Sequence, residues 1–391
     1  MKKQIMKHSA VVMKPTSSTL FLASFAAKQI TKRFALSLAV LASFAIQTVA
    51  QSSPQVLQGS GWTAQTRYAP AVASDGTNLY AAWKGKDDSN IYFSVNVNGD
   101  GWGEQTIVGG TTLSGGTWTA GTSVGPAMAW PGTANNVWLA WRGESTNDIW
   151  ISMWNGSSWS PQQIVQGTNS DGGTWTAATS SAPAVTYYDQ LYIAWKGASS
   201  NKIWYSTFAG SDFSNQQVVG GSGWTAESST GPTFQIGTAL FWKGVSDDVW
   251  ESPLPDPSWG QEDDVACNSP EFTAATSTTP AATVLFTVTE STNSYIFPVF
   301  WKGASDDSLW YSYYALPMGS GCQWAQQAKV SGTDSSGNWR ASTNHAPAAA
   351  SATIMYEGEG APLAILAWKS SSNDNILYMN PMYLPGLAGA E

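Results

Sequence analysis

The chain has 391 residues, of which 13% are aromatic, and its 18 Lys and Arg stand against 27 Asp and Glu. Seven of the cations and none of the acids precede residue 51, so residues 51–391 hold 11 cations against 27 acids, a net charge of −16. An acidic chain without a basic run argues against nucleic acid and anionic membrane surfaces as partners and leaves neutral ligands.

In chain order, Lys32 and Arg33 come before an uncharged run from Phe34 to Ile46, which ends in the small residues Thr48-Val49-Ala50. That is the pattern of a secretory signal, and it predicts cleavage after Ala50 and a secreted or periplasmic protein comprising residues 51–391. The stretch ahead of Lys32 is long for such a signal, which leaves Met6 and Met13 as further candidate starts. No later segment is apolar for long enough to span a bilayer. Cys267 and Cys322 fall near the outermost strands of neighbouring repeats and are candidates for one disulfide in an exported protein.

Beyond the leader, one pattern occurs six times. Each copy opens on an aromatic and two further residues, led by Trp62, Trp118, Trp175, Trp224, Phe272 and Trp339. A proline follows, then a strand-like run ending in tryptophan and a cation: Trp83-Lys84, Trp141-Arg142, Trp195-Lys196, Trp242-Lys243, Trp301-Lys302 and Trp368-Lys369. An aromatic recurs eight to ten residues later, at Tyr92, Trp150, Trp204, Trp250, Trp310 and Tyr378. Periodic copies of several short strands predict a radial array.

Repeat one predicts four strands, Tyr68–Ser74, Asn78–Lys84, Ile91–Val97 and Glu104–Val108, joined by turns rich in Gly, Asn, Asp and Ser. The second strand carries bulk on both faces, with Leu79, Ala81 and Trp83 on one and Tyr80 and Ala82 on the other. A sheet covered on both sides suits a propeller blade. Repeat six lacks its fourth strand, whereas residues 53–59 match that strand as it stands at 160–167, so the N-terminal strand is expected to complete the last blade. The expected fold is all-β, a six-bladed propeller of four-stranded blades closed in this way. Spacings of 58, 54, 47, 59 and 67 residues between the Trp-cation tryptophans put the extra length in loops such as 289–293 and 357–362.

Nineteen of the 22 tryptophans fall on four repeated positions. Tryptophan serves equally to pack blades and to stack on a sugar ring. Packing is expected for the strand-two set. The third-strand set (Trp150, Trp204, Trp250 and Trp310) and the opening set (Trp62, Trp118, Trp175, Trp224 and Trp339) are the candidate ligand platforms. The cations Lys84, Arg142, Lys196, Lys243 and Lys302 share a rim in this reading, either donating to sugar hydroxyls or paired in solvent with turn carboxylates such as Asp88, Asp148, Asp248 and Asp307. No turn has the spacing of a calcium loop. The lone histidine after the leader, His345, makes neither a metal cluster nor a base-nucleophile pair. No carboxylate pair stands out for glycoside hydrolysis. No catalytic residue, metal site or cofactor is therefore expected.

The string Asn-Leu-Tyr-Ala-Ala-Trp-Lys-Gly, followed by Asn-Ile-Tyr-Phe-Ser, Gly-Trp and Thr-Ile-Val-Gly-Gly, resembles the blade unit of bacterial and fungal β-propeller lectins, including the fucose-binding ones. The resemblance spans residues 53–391. It implies glycan partners on a cell surface and several shallow, similar sites between blades, built from the opening tryptophans, the cations and the third-strand aromatics. The fungal members pair Arg with Glu, whereas five of the six cations here are Lys and no Glu recurs. Residues 169–175 resemble the Asp-box turn of six-bladed sialidases, with Ser misplaced and Trp one residue early. The three arginines after the leader, Arg67, Arg142 and Arg340, fall at three different repeat positions. The alternatives to a non-catalytic lectin are a protein-binding or structural propeller and a sialidase-like glycoside hydrolase.

Overall fold

The computed structural model describes residues 53–382 apart from 170, 211, 256–257, 267–272, 289–292, 317–323, 335 and 357–358. The leader, Cys267, Cys322 and Phe272 lie outside the described residues.

Packing uses both faces of each central strand. Leu79, Ala81 and Trp83 join a buried cluster with Ile365, Ala367 and Ile376 of the last repeat. Tyr80 and Ala82, on the opposite face, join Val137, Leu139 and Trp141 of the second repeat. Because successive side chains alternate, each sheet is covered by a neighbour on either side.

Six antiparallel blade sheets result, accompanied by two-stranded ladders. The first four blades comprise strands Ala71–Ser74, Leu79–Lys84, Ile91–Asn96 and Thr106–Ile107; Ala127–Ala129, Val137–Arg142, Ile149–Trp154 and Gln163–Ile164; Ala184–Tyr187, Leu191–Lys196, Ile203–Phe208 and Gln217–Val218; and Thr233–Gln235, Ala239–Lys243, Val249–Pro253 and Asp263–Asp264. Blade five runs through Ala281–Ala282, Asn293–Lys302, Leu309–Leu316 and Ala328–Lys329, with the extra strand Leu285–Val288. Blade six takes Ala348–Tyr356, Glu359–Lys369 and Ile376–Met382 from the end of the chain and Gln55–Val56 from its beginning, with Gln55 opposite Tyr378 and Val56 opposite Leu377. Its innermost strand meets that of blade one, so the ring closes. The fold is a six-bladed β-propeller with the expected N-terminal closure. Val72, Met128, Val185, Phe234, Ala282 and Ala350 help fill its axis, which retains a cavity of about 40 Å³, little more than the space of one water.

The observed strands of blade one sit inside the predicted limits. The first begins at Ala71 rather than Tyr68, since Pro70 has no N–H to give to a ladder.

A cycle of three backbone hydrogen bonds joins consecutive blades. Ile91 N donates to Ala120 O at 3.1 Å, Ala120 N to Val108 O at 2.9 Å and Val108 N to Ile91 O at 2.8 Å. Equivalent cycles tie Ile149, Val165 and Ala177; Ile203, Val219 and Ala226; Leu309, Val330 and Ala341; and, at the closure, Ile376, Leu57 and Ala64. The alanines are the third residues of the opening motifs and are buried, so a larger side chain there would force the cycle apart.

Candidate functional site

The opening motif builds a hairpin rather than a plain connection. Trp62, Trp118, Trp175, Trp224 and Trp339 each lie across a two-stranded ladder from a glycine: Gly59, Gly110, Gly167, Gly221 and Gly332. A β-carbon at Gly167 would fall 2.8 Å from Trp175, and one at Gly332 would fall 2.7 Å from Trp339, so the indoles occupy the space the glycines leave. Four of these rings also stack on the strand-two tryptophans: Trp62 on Trp83 at 5.7 Å, Trp118 on Trp141 at 6.1 Å, Trp175 on Trp195 at 6.2 Å and Trp224 on Trp242 at 6.3 Å. Trp118 and Trp175 are buried, while Trp62, Trp224 and Trp339 are half-buried. All six strand-two tryptophans are buried, as expected.

The third-strand rings Trp150, Trp204, Trp250 and Trp310 are half-buried, each against the glycine that follows the Trp-cation pair of its blade. Lys329 lies over the Trp310 ring at 4.7 Å. In blade six the residue opposite Trp368 is Leu377, not Tyr378. Tyr378 instead takes the ring edge of Trp102 from blade one, at 5.5 Å and 86°.

The cations differ most from the solvated rim pictured above. Lys196, Lys243 and Lys302 are buried, and Lys84 and Arg142 are half-buried. Lys302 Nζ donates to Ser277 Oγ, Gly303 O and Asp306 O at 3.1, 3.0 and 3.0 Å, which accounts for all three ammonium protons. Lys196 reaches Ser180 Oγ and Gly197 O, and Lys243 reaches Ser229 Oγ and Gly244 O. Arg142 donates to Ser123 Oγ at 2.9 Å and to Asn147 Oδ1 at 2.6 Å. Lys84 donates to Asp88 O and lies over the Tyr68 ring. Each cation ties the turn after its strand to the segment entering its blade. The carboxylates that pair with them are Asp307 for Lys302 and Asp247, rather than Asp248, for Lys243.

An open cavity lies between blades two and three, on the face carrying the turns between first and second strands. A cavity of about 520 Å³ is lined there by residues that include Trp138, Phe208 and Tyr187 together with the polar Asn136, Asp189 and Gln190. Trp138 is half-buried and meets the edge of Phe208 at 5.8 Å and 76°. A longer connection forms one wall: seven residues, 130–136, separate the first two strands of blade two, against four in blade one and three in blade three. Trp130 Nε1 donates to Thr133 O at 3.0 Å and braces that loop.

The same position between blades one and two is filled. Tyr80, the counterpart of Trp138, is buried and donates to Asp75 Oδ2 at 2.7 Å. Asn135 N also donates to Asp75, and Asn135 Oδ1 accepts from Asn78 Nδ2 at 3.0 Å. Asn135 holds a φ of 61°, a left-handed conformation that Asn tolerates better than most residues. Burial pushes the Asp75 carboxyl upward, but hydrogen bonds from Asn78, Asn135, Tyr80 and Thr77 outweigh it and hold the group at about 2.

Two titratable groups stand apart. His345 is half-buried beside the Tyr68 ring, and burial together with Lys369 lowers its pKa. Glu251 occupies the position held by Phe93 in blade one and Tyr205 in blade three, where Trp159 and Trp259 pack edge-on at 5.0 Å. Glu251 instead accepts the Trp324 N–H at 3.3 Å. Burial pushes its carboxyl up to about 8, Asp263 acts in the same sense, and the Trp324 N–H opposes. Among the described residues, no three His, Cys, Asp or Glu side chains gather to hold a metal ion.

Sequence reasoning passed over Trp138, Asn136, Asp189 and Gln190. Two signals could have pointed to them: Trp138 stands outside the four repeated tryptophan positions, and the loop before it is long.

No family profile matches this sequence, and no curated protein aligns with it. Solved structures share the fold. An α-L-arabinofuranosidase from Fusarium graminearum superposes with a TM-score of 0.52 at 12% identity, covering 85% of this chain and 98% of its own. The fucose-recognising lectin of Aleuria aurantia, a six-bladed propeller, gives 0.49 at 13% identity over 84% and 91%. A sialidase from Trypanosoma rangeli gives 0.41 at 9% identity over 85% and 57%. At these identities the likeness is one of fold alone.

Proposed function

We propose that this propeller is an exported carbohydrate-binding protein that recognises cell-surface glycans without cleaving them, with its principal site in the cavity between blades two and three. The observation that carries this reading is the juxtaposition of a partly exposed indole, Trp138, with amides and a carboxylate from Asn136, Gln190 and Asp189 around a cavity of about 520 Å³. An aromatic face takes the C–H face of a sugar ring, and convergent polar groups take its hydroxyls. The repeated cations and opening tryptophans are engaged by the protein itself, so we place one main site rather than six equivalent ones.

Binding without cleavage is favoured over hydrolysis because Asp189 is the single carboxylate among the residues lining the cavity. Glycoside hydrolysis ordinarily uses two carboxyl groups roughly 5 to 10 Å apart. Equilibrium dialysis of residues 51–391 against fluorescent glycans tests both halves of the reading. Retention of intact glycan supports it, and release of shortened products would replace it with a hydrolase.

A further inference from the structure

We infer that the ligand of the cavity between blades two and three is a positively charged sugar, one whose protonated amine is taken up by the Trp138 ring and the Asp189 carboxylate. This rests on the proposed glycan-binding function of the cavity and names the class of glycan it selects.

The lining carries one charge and no counter-charge. Asp189 is the single charged residue lining the cavity, and no Lys, Arg or His stands with it. It is exposed in the turn between the first two strands of blade three. Among the described residues, no cation or hydrogen-bond donor pairs with its carboxylate. Asp75, in the corresponding turn of blade one, accepts instead from Thr77 N, Asn78 N, Asn135 N and the Tyr80 hydroxyl. A carboxylate without an internal partner can take a charged donor from the ligand.

The two blades also keep their cations at the other end. Residues 127–218 hold three of them, Arg142, Lys196 and Lys202. The first two end the second strands and the third precedes the third strand of blade three, so all stand at the far end of the sheets from the turns that line the cavity. The cavity end carries Asp189 and, in the turn after the third strand of blade three, Asp212. Such a surface draws a cation and repels an acidic sugar.

The aromatic residues favour the same charge. Trp138, Phe208 and Tyr187 belong to one cluster between the blades, with Trp138 half-buried and its ring 5.8 Å from that of Phe208. Indole is the side chain whose face best attracts an ammonium group, and the attraction grows as water is excluded. The same face takes the C–H groups of a sugar ring. One side chain can therefore serve both the amine and the carbon skeleton.

The test is calorimetric titration of residues 51–391, at a mildly acidic pH that keeps amines protonated, with two pairs of sugars that differ only in the acetylation of the amine. The pairs are the β1,4-linked glucosamine trimer against its N-acetylated form, and galactosamine against N-acetylgalactosamine. The expected result is that, in a pair that binds, the free amine binds about tenfold more tightly, the combined worth of one exposed ion pair and one cation–π contact. Asp189→Asn should remove most of that preference and Glu144→Gln should not, although each deletes one negative charge. Glu144 is exposed in the turn between the second and third strands of blade two, at the far end from the cavity. Equal binding of amine and acetamide, a preference that survives in Asp189→Asn, or one that falls equally in Glu144→Gln overturns the cationic class and leaves the cavity as a site for uncharged glycans. Binding of neither pair also overturns the inference, while glycan binding on an array that is lost in Trp138→Ala would keep the broader reading.

Discussion

The junction between blades one and two and the junction between blades two and three start from the same repeat and end differently. In the first, Tyr80, Asp75, Asn78 and Asn135 close on one another through hydrogen bonds of 2.7 to 3.0 Å. In the second, Trp138 replaces Tyr80, Asp189 stands where Asn135 stands, and a cavity remains. Hydrogen bonds across the first junction hold it shut, and the second stays open. What recurs in every repeat holds the ring together, and the candidate site lies where the repeat is broken.

The largest effect expected at either junction concerns a repeated residue. Trp195 is 2% exposed and packs between blades two and three. Trp195→Ala should cost about 3–5 kcal/mol in denaturant unfolding, as for other large-to-small core changes. A loss no greater than that of Trp138→Ala would erase the distinction between repeated and unrepeated tryptophans.

A third junction sharpens the contrast through pH. Glu251 has a folded-state pKa near 8 against an ordinary 4.5, so the folded protein holds a proton that the unfolded chain releases. Stability is therefore lost as pH rises from about 4.5 to 8 and levels off above that range. Glu251→Gln should remove this slope and gain on the order of 3 kcal/mol at pH 8 relative to pH 4.5. Parallel pH curves for variant and wild type would contradict the assignment.

Asp75 works in the opposite sense. Its carboxyl is held at about 2, below the usual 3.8, so its contribution is present above pH 4 and disappears as pH falls through 2. Asp75→Asn should destabilise the protein by about 1–3 kcal/mol at pH 7, and that deficit should shrink in urea titrations near pH 2. The smallest effect in energy is the most telling for function. Trp138→Ala should weaken glycan binding by about tenfold or more while moving the unfolding midpoint less than Trp195→Ala does.

Much of the fold was legible because it is written six times over. The Trp-cation strands, the two-faced second strand at 79–84 and the similarity of residues 53–59 to 160–167 placed the blades and the closing strand. The site was less legible for the same reason. Repetition drew attention to Trp62, Trp118, Trp175, Trp224 and Trp339, yet the glycine opposite each ring is a packing signal that only cross-strand register reveals. Lys196, Lys243 and Lys302 read as surface charges because lysine is rarely buried; their partners are largely backbone carbonyls and hydroxyls, which leave no charge pattern in a sequence. Trp138 and Asp189 lie about 50 residues apart, in different blades, and only the packing of those blades brings them to one cavity.

The most direct test of the central claim is a glycan array probed side by side with residues 51–391 and with the Trp138→Ala variant, both confirmed as folded. The account predicts a discrete set of glycans bound by the wild-type chain and lost or sharply weakened in the variant. Binding of the same set at the same strength by both would place the site away from the cavity between blades two and three and contradict the account.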